Sequence, residues 1–154
     1  MAISALIILS PVIVLVSVLI FFSLGSPIIF KQKRIGLKGK AFYIYKFRTM
    51  KESLREGDEA ERLTPITSFL RNYSLDELPT LLNVIINNMS FVGPRPLLED
   101  YRNEYTPEQF KRHDVLPGIT GWAQINGRNS ITWEEKFKLD LWYVENKSLT
   151  LDLK

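Results

Sequence analysis

Residues 71–96 read RNYSLDELPTLLNVIINNMSFVGPRP, and the rest of the chain is organised around them. Two adjacent carboxylates, Asp76 and Glu77, stand where the pattern predicts the start of a helix. A Gly-Pro-Arg-Pro turn closes the stretch, and its one charged side chain is the guanidinium of Arg95. The acidic pair is open to a structural and to a chemical interpretation.

The structural interpretation makes the acidic pair part of a helix cap. Ser74 followed three residues later by Glu77 fits a capping box, and Asp76 in the first turn would be kept ionised by the helix dipole. The chemical interpretation needs the same state, because a carboxylate nucleophile must be ionised and helix N-terminal N–H groups favour a phosphate. Spacing alone does not choose between them. Pro79 predicts a kink or a short break in the second turn.

The N-terminal stretch is uncharged and almost wholly apolar. Residues 1–30 carry no side-chain charge, and about 20 apolar residues suffice to span a bilayer. A cleaved signal peptide is disfavoured, since there is no basic leader and the apolar run is too long. Ser10-Pro11 allows either a kinked spanning helix or a helix-break-helix that leaves by the face it entered. The residues alone favour the spanning helix.

A basic cluster follows the apolar segment directly. It comprises Lys31, Lys33, Arg34, Lys38 and Lys40. Positive charge beside a membrane segment predicts the cytoplasmic side for this end. The same cluster predicts attraction to anionic lipid headgroups.

The composition excludes several kinds of site. The 154 residues suit one domain and carry a net charge of +3. The absence of cysteine excludes a disulfide framework and a thiolate metal site. The single His113 excludes a site built from several histidines, and its pattern favours a core or capping role over that of a general base.

The segments between these landmarks predict short helices and one strand. Residues 42–50 predict an aromatic-rich strand that carries Lys46; nucleic acid is not expected as its partner beside a membrane anchor. Thr64-Pro65, Thr106-Pro107 and Thr132 predict helix starts. The turn at Gly127-Arg128-Asn129 offers backbone N–H groups to an anion.

Together these segments resemble the bacterial sugar transferase family, and more narrowly its small monotopic polyprenyl-phosphate phosphoglycosyl transferases. The resemblance covers nearly the whole chain in order. It rests on Ser10-Pro11, on residues 45–50 (YKFRTM), 74–78 (SLDEL), 89–96 (MSFVGPRP), 112–113 (RH), 117–124 (PGITGWAQ), 126–129 (NGRN) and 151–154 (LDLK). Asn88 stands where the family often has an acid.

The resemblance implies a fold and a location. The fold would be a helix-rich, single-domain α+β structure with amphipathic interfacial helices and a small strand element. Residues 1–25 would form a re-entrant membrane segment broken at Ser10-Pro11, which reverses the preference from the residues alone. Residues 26–154 would form the catalytic domain on the cytoplasmic face of the bacterial inner membrane.

The resemblance also implies a reaction. A sugar 1-phosphate would pass from a UDP-sugar to undecaprenyl or another polyprenyl phosphate, with release of UMP. Asp76 would be the nucleophile that forms a covalent phosphosugar intermediate, and Glu77 would help hold Mg²⁺.

Basic side chains suit this chemistry. Arg71, Arg95 and Arg128 can each contact phosphate oxygens with paired donors, and Lys46 can add a point charge. Alternatives are a catalytically silent membrane scaffold and a membrane-anchored binder of anions, neither of which needs a carboxylate pair among arginines.

Overall fold

The computed structural model describes residues 1–51, 61–127 and 130–153, and it is a helix-rich α+β structure. Internal contacts divide the chain into two compact units. The first unit comprises Met1–Lys31 and Tyr45–Ile85, and the second comprises Gln32–Ile44 and Ile86–Lys154. The proposed domain boundary at residue 25 remains a prediction.

The elements are short apart from two helices. The helices are α1 Ala2–Leu24, α2 Pro65–Asn72, α3 Leu81–Ile85, α4 Pro107–Phe110, α5 Trp122–Ile125, α6 Trp133–Asn146 and α7 Leu149–Asp152. The strands are β1 Ile29–Ile35, β2 Ala41–Phe47, β3 Ser90–Val92 and β4 Gly118–Thr120. Turns of 3₁₀ helix cover Leu37–Gly39, Leu75–Thr80, Glu99–Glu104 and Lys111–Asp114.

Helix α1 is long and apolar enough to cross a membrane. It is one helix with Pro11 inside it, and the re-entrant path expected for residues 1–25 remains a prediction. Pro11 cannot donate to the carbonyl of Ile7, four residues earlier. The hydroxyl of Ser10 donates to that carbonyl instead, at 2.8 Å. The carbonyl that loses its helix donor at the proline is therefore satisfied by the preceding serine.

The core of the first unit is built on the second half of α1. Val16 and Ile20 are buried with Phe47 of β2 and Leu70 of α2. The end of α1 is held by Arg48, whose guanidinium donates to the carbonyls of Leu24 at 2.6 Å and Gly25 at 2.8 Å. A cation at a helix C-terminus is favoured by the helix dipole.

The predicted strand is confirmed as β2, although it begins at Ala41 and ends at Phe47. Its partner β1 was not predicted, because its central residues belong to the basic cluster and the charges mask a strand pattern. The 3₁₀ turn Leu37–Gly39 joins the two strands.

The second unit contains a parallel pair of strands. Strand β3 pairs with β4, with Ser90 opposite Gly118 and Val92 opposite Thr120. Helix α6 begins at the predicted cap, where Thr132 and Glu135 form a capping box. His113 is buried against the edges of the Tyr105 and Phe110 rings. Burial and the neighbouring arginines lower its pKa to about 4, so the ring is neutral at pH 7.

Candidate active site

The acidic pair lies in a 3₁₀ helix, Leu75–Thr80, and not at the start of an α-helix. Ser74 precedes it with a φ of 56° and makes no side-chain cap, so the predicted Ser74–Glu77 capping box is wrong. The left-handed backbone of Ser74 instead lets its carbonyl accept from the amide of Glu77 at 3.1 Å. The dipole argument for Asp76 loses its basis as well, because six residues of 3₁₀ helix with Pro79 inside make no extended helix.

Glu77 is bound by a lysine from a distant part of the chain. Lys46 Nζ donates to Glu77 Oε1 at 2.6 Å, and both side chains are mostly buried at 17% and 16% exposure. An ion pair in such surroundings is screened less than a surface pair. The structure thus brings together two predicted site residues that stand 31 positions apart.

Asp76 sits in a different electrostatic environment from its neighbour. Burial raises the pKa of the Asp76 carboxyl, and the negative charge of Glu77 adds to the rise. The positive charges of Lys46 and Arg71 oppose it. The direction is opposite to the one expected from a helix dipole, because removal from water outweighs the nearby cations.

Two buried polar residues, absent from the sequence-based site, hold β2 against the acidic segment. Thr80 Oγ1 donates to the carbonyl of Tyr45 at 2.9 Å, and Asn83 Oδ1 accepts from the amide of Tyr45 at 3.0 Å. Thr80 is 1% exposed and Asn83 is 0% exposed. Their clamp fixes the residue next to Lys46. Polar residues three positions apart within the apolar run 78–86 were the signal that could have revealed it.

Arg95 belongs to the second unit, in the turn after β3. Gly93, Pro94 and Pro96 are buried, whereas Arg95 is exposed. The turn needs glycine at position 93, since an added Cβ would come within 2.3 Å of the carbonyl oxygen of Leu116. Arg128, the remaining predicted phosphate ligand, lies outside the described residues.

Comparison with known proteins identifies the family. A family model described as bacterial sugar transferase matches residues 1–154. The chain belongs to the bacterial sugar transferase family.

Three relatives illustrate the range of similarity. The chain is 54% identical over 149 residues to "Uncharacterized sugar transferase EpsL" of Bacillus subtilis (strain 168), covering 90% of this chain and 74% of the relative. It is 40% identical over 173 residues to "Exopolysaccharide production protein ExoY" of Sinorhizobium fredii, covering 99% and 76%. It is 38% identical over 165 residues to "UDP-glucose:undecaprenyl-phosphate glucose-1-phosphate transferase" of Escherichia coli (strain K12), covering 97% of this chain but 35% of that relative. The chain thus spans about a third of the last protein.

A magnesium site in this family member would have to be completed by substrate. Among the described residues no group of three or more acidic or histidine side chains could hold a metal. Mg²⁺ at phosphate-transfer sites is commonly held by one or two carboxylates, with phosphate oxygens and water filling the other positions. Asp76 and Glu77, adjacent in one turn, fit a donor set of that kind.

Proposed function

We propose that this chain is a phosphoglycosyl transferase that moves a sugar 1-phosphate from a UDP-sugar to undecaprenyl phosphate or another polyprenyl phosphate, releasing UMP. The observation that carries the proposal is the Asp76–Glu77 pair, with Glu77 bound by Lys46 and Asp76 partly removed from water. The name of the Escherichia coli relative describes transfer of this class with UDP-glucose as donor, which makes UDP-glucose the first donor to test.

The reaction is proposed to proceed in two displacements at the same phosphorus. A carboxylate oxygen of Asp76 attacks the phosphorus that carries the sugar, and the bond to the oxygen bridging the two phosphates breaks. UMP leaves with that oxygen, and an aspartyl phosphosugar remains. An oxygen of the polyprenyl phosphate then attacks the same phosphorus and displaces the Asp76 carboxylate. Each step exchanges one P–O bond for another, so no oxidant or reductant is needed.

Cations are required because an anion attacks an anion. Lys46 and Arg71 already act electrostatically on Asp76, and they would offset the negative charge of a bound diphosphate. Phosphoryl transfer depends mainly on such positioning and charge neutralisation. Arg95 and Arg128 would add bidentate phosphate contacts. Mg²⁺, held by Glu77 and Asp76, would supply further charge neutralisation at the diphosphate.

We propose that α1 enters only one leaflet, on the cytoplasmic face of the inner membrane. The residues of α1 that pack in the protein core are Val12, Ile13, Val16 and Ile20, all in its second half. The first half, Ala2–Pro11, is about 15 Å long, half of the roughly 30 Å hydrocarbon core. Placing the whole helix across the bilayer would draw the charged segments packed on it toward the membrane interior, which is costly. Proline commonly kinks a helix, and a kink at Pro11 would turn the first half of α1 back toward the cytoplasmic face, with basic residues 31–40 at the headgroups.

The proposal is tested by UMP release and isotope exchange in detergent. Purified protein is given UDP-glucose, UDP-galactose and UDP-N-acetylglucosamine in turn, with undecaprenyl phosphate and Mg²⁺. A covalent route predicts that labelled UMP exchanges into the donor without the lipid. Asp76→Asn should abolish this exchange, whereas Asp114→Asn, the same change at an exposed carboxylate paired with Lys38, should preserve it.

The contrary outcomes point to different mechanisms. Exchange that strictly requires the lipid would favour direct attack by the acceptor and leave Asp76 a supporting role. A folded wild-type chain that releases UMP from no donor would favour the silent scaffold or the anion binder.

A further inference from the structure

The backbone of the arginine turn, residues 93–96, is bonded at almost every carbonyl. Within the second unit, the carbonyls of residues 92 and 94–97 each accept a hydrogen bond. The donors are Tyr143 Oη to Val92 (3.3 Å), the Gly118 amide to Pro94 (3.1 Å), Arg112 Nη2 to Arg95 (2.9 Å), Arg34 Nη1 to Pro96 (3.1 Å) and the Ile35 amide to Leu97 (3.1 Å). The turn is therefore fixed in place, and Arg95 is its exposed residue.

Arg112, which donates to the carbonyl of Arg95, is a buried ion. Arg112 is 3% exposed, as is its partner Asp140 on α6. Arg112 Nε and Nη2 donate to Asp140 Oδ2 at 3.1 and 2.5 Å, and Nη1 donates to the hydroxyl of Tyr105 at 3.3 Å. The guanidinium also lies over the ring of Phe137, 5.4 Å from its centroid. Every nitrogen of the group is engaged, so its orientation is determined.

A buried ion pair is weak evidence for stability, because well-packed apolar residues can often replace it without loss. What apolar residues cannot supply is a donor to the main-chain carbonyl of Arg95. The planar guanidinium of Arg112 can donate to Asp140 and to the arginine turn at the same time. The ammonium of a lysine, which acts as a point charge, does this poorly.

We infer that Arg112, held by Asp140, is a positioning residue that fixes the Arg95 peptide and so directs the Arg95 guanidinium at the phosphates of the donor. This inference rests on the proposed function, since it presumes that Arg95 contacts phosphate. A guanidinium that must bind two phosphate oxygens in a plane is sensitive to the direction of its backbone. Misplacement by about 1 Å can cost on the order of 100-fold in rate.

Two variants separate positioning from stability. Arg112→Lys keeps the buried charge beside Asp140 but removes the fork that reaches the turn. The double variant Arg112→Met with Asp140→Leu removes both charges and keeps the site filled. Both should lower kcat/KM about 10- to 100-fold on the best donor of the panel. In hydrogen–deuterium exchange, both should also speed exchange in the peptide covering residues 92–98.

The same changes are then made in an Arg95→Lys background. A lysine contacts phosphate as a point charge and depends less on the direction of its backbone. In the Arg95→Lys background, Arg112→Lys should therefore lower kcat/KM by less than about twofold. Thr132→Ala is the matched stability control, because it removes the cap of α6, the helix that carries Asp140. It should lower Tm without changing kcat/KM.

Each outcome has a distinct meaning. Equal losses from Arg112→Lys in both backgrounds would show a general structural role and overturn the inference, while leaving the transfer function intact. Full activity of Arg95→Lys would remove both the phosphate role of Arg95 and the inference. A wild-type chain that releases no UMP would remove the proposed function as well.

Discussion

Removing the hydroxyl of Thr80 should loosen the clamp on β2 and with it the Lys46–Glu77 pair. Thr80→Val keeps the shape of the side chain but leaves the carbonyl of Tyr45 without its 2.9 Å donor. Because Thr80 is almost fully buried, water cannot replace the bond. A buried acceptor left unpaired costs about 1–3 kcal/mol. For a chain of this size that corresponds to a fall in Tm of roughly 3–9 °C.

The effect on activity should exceed the effect of instability alone. Tyr45 is clamped at both its carbonyl and its amide, and the next residue is Lys46. Freed backbone there would lengthen the 2.6 Å contact to Glu77, so the rate of UMP release should fall about tenfold. Asn83→Ala removes the other half of the clamp, and its effect should be less than additive with Thr80→Val because both act on one peptide.

The assay is UMP release in detergent at a temperature well below the Tm of every variant. Thr67→Val is the matched control, since Thr67 is also a fully buried threonine of the first unit but bonds within the cap of α2. It should lower Tm to a similar degree and keep near wild-type turnover. The reasoning is refuted if Thr80→Val keeps both Tm and turnover, or if Thr67→Val loses as much activity as Thr80→Val.

Two further predictions concern stability and membrane path. Burial raises the pKa of Asp76 above its ordinary 3.8, so the folded state holds that proton more tightly than the unfolded state does, and the ionised carboxylate costs stability at pH 7. Asp76→Asn should therefore have a higher Tm than wild type at pH 7, with the gap closing as the pH falls toward 3.8; a gap independent of pH would contradict this. The chain has no cysteine, so Ala2→Cys in intact cells should resist an impermeant thiol reagent and should react in inverted vesicles. Labelling from the periplasm would establish a spanning helix.

Features set by neighbouring residues were predictable from the sequence. Thr64, Thr106 and Thr132 each begin a helix with a capping box, because that motif is completed within three residues. The same motif failed at Ser74, where the backbone takes a left-handed conformation and the carboxylate that should complete the box binds Lys46.

Features that join distant positions were not predictable in this way. The contact of Lys46 with Glu77 bridges 31 positions, and that of Arg112 with Asp140 bridges 28. Nothing in the local pattern of either partner indicates the other. The sequence indicates Arg112 only as part of a motif, because a buried arginine cannot be distinguished from a surface arginine until its acidic partner, here Asp140, is known.

The two carboxylates of the dyad are adjacent in sequence but are not interchangeable in the structure. Glu77 accepts a 2.6 Å hydrogen bond from Lys46 and forms an ion pair with it, whereas burial disfavours the ionised form of Asp76. Neighbouring acids in different environments commonly take different roles. A carboxylate that is partly removed from water is less stabilised by hydrogen bonds from solvent and is therefore the more reactive anion once ionised. Glu77, already paired with Lys46, is suited to keeping positive charge in the site. We therefore expect the attack on phosphorus to come from Asp76, because burial leaves its carboxylate poorly solvated.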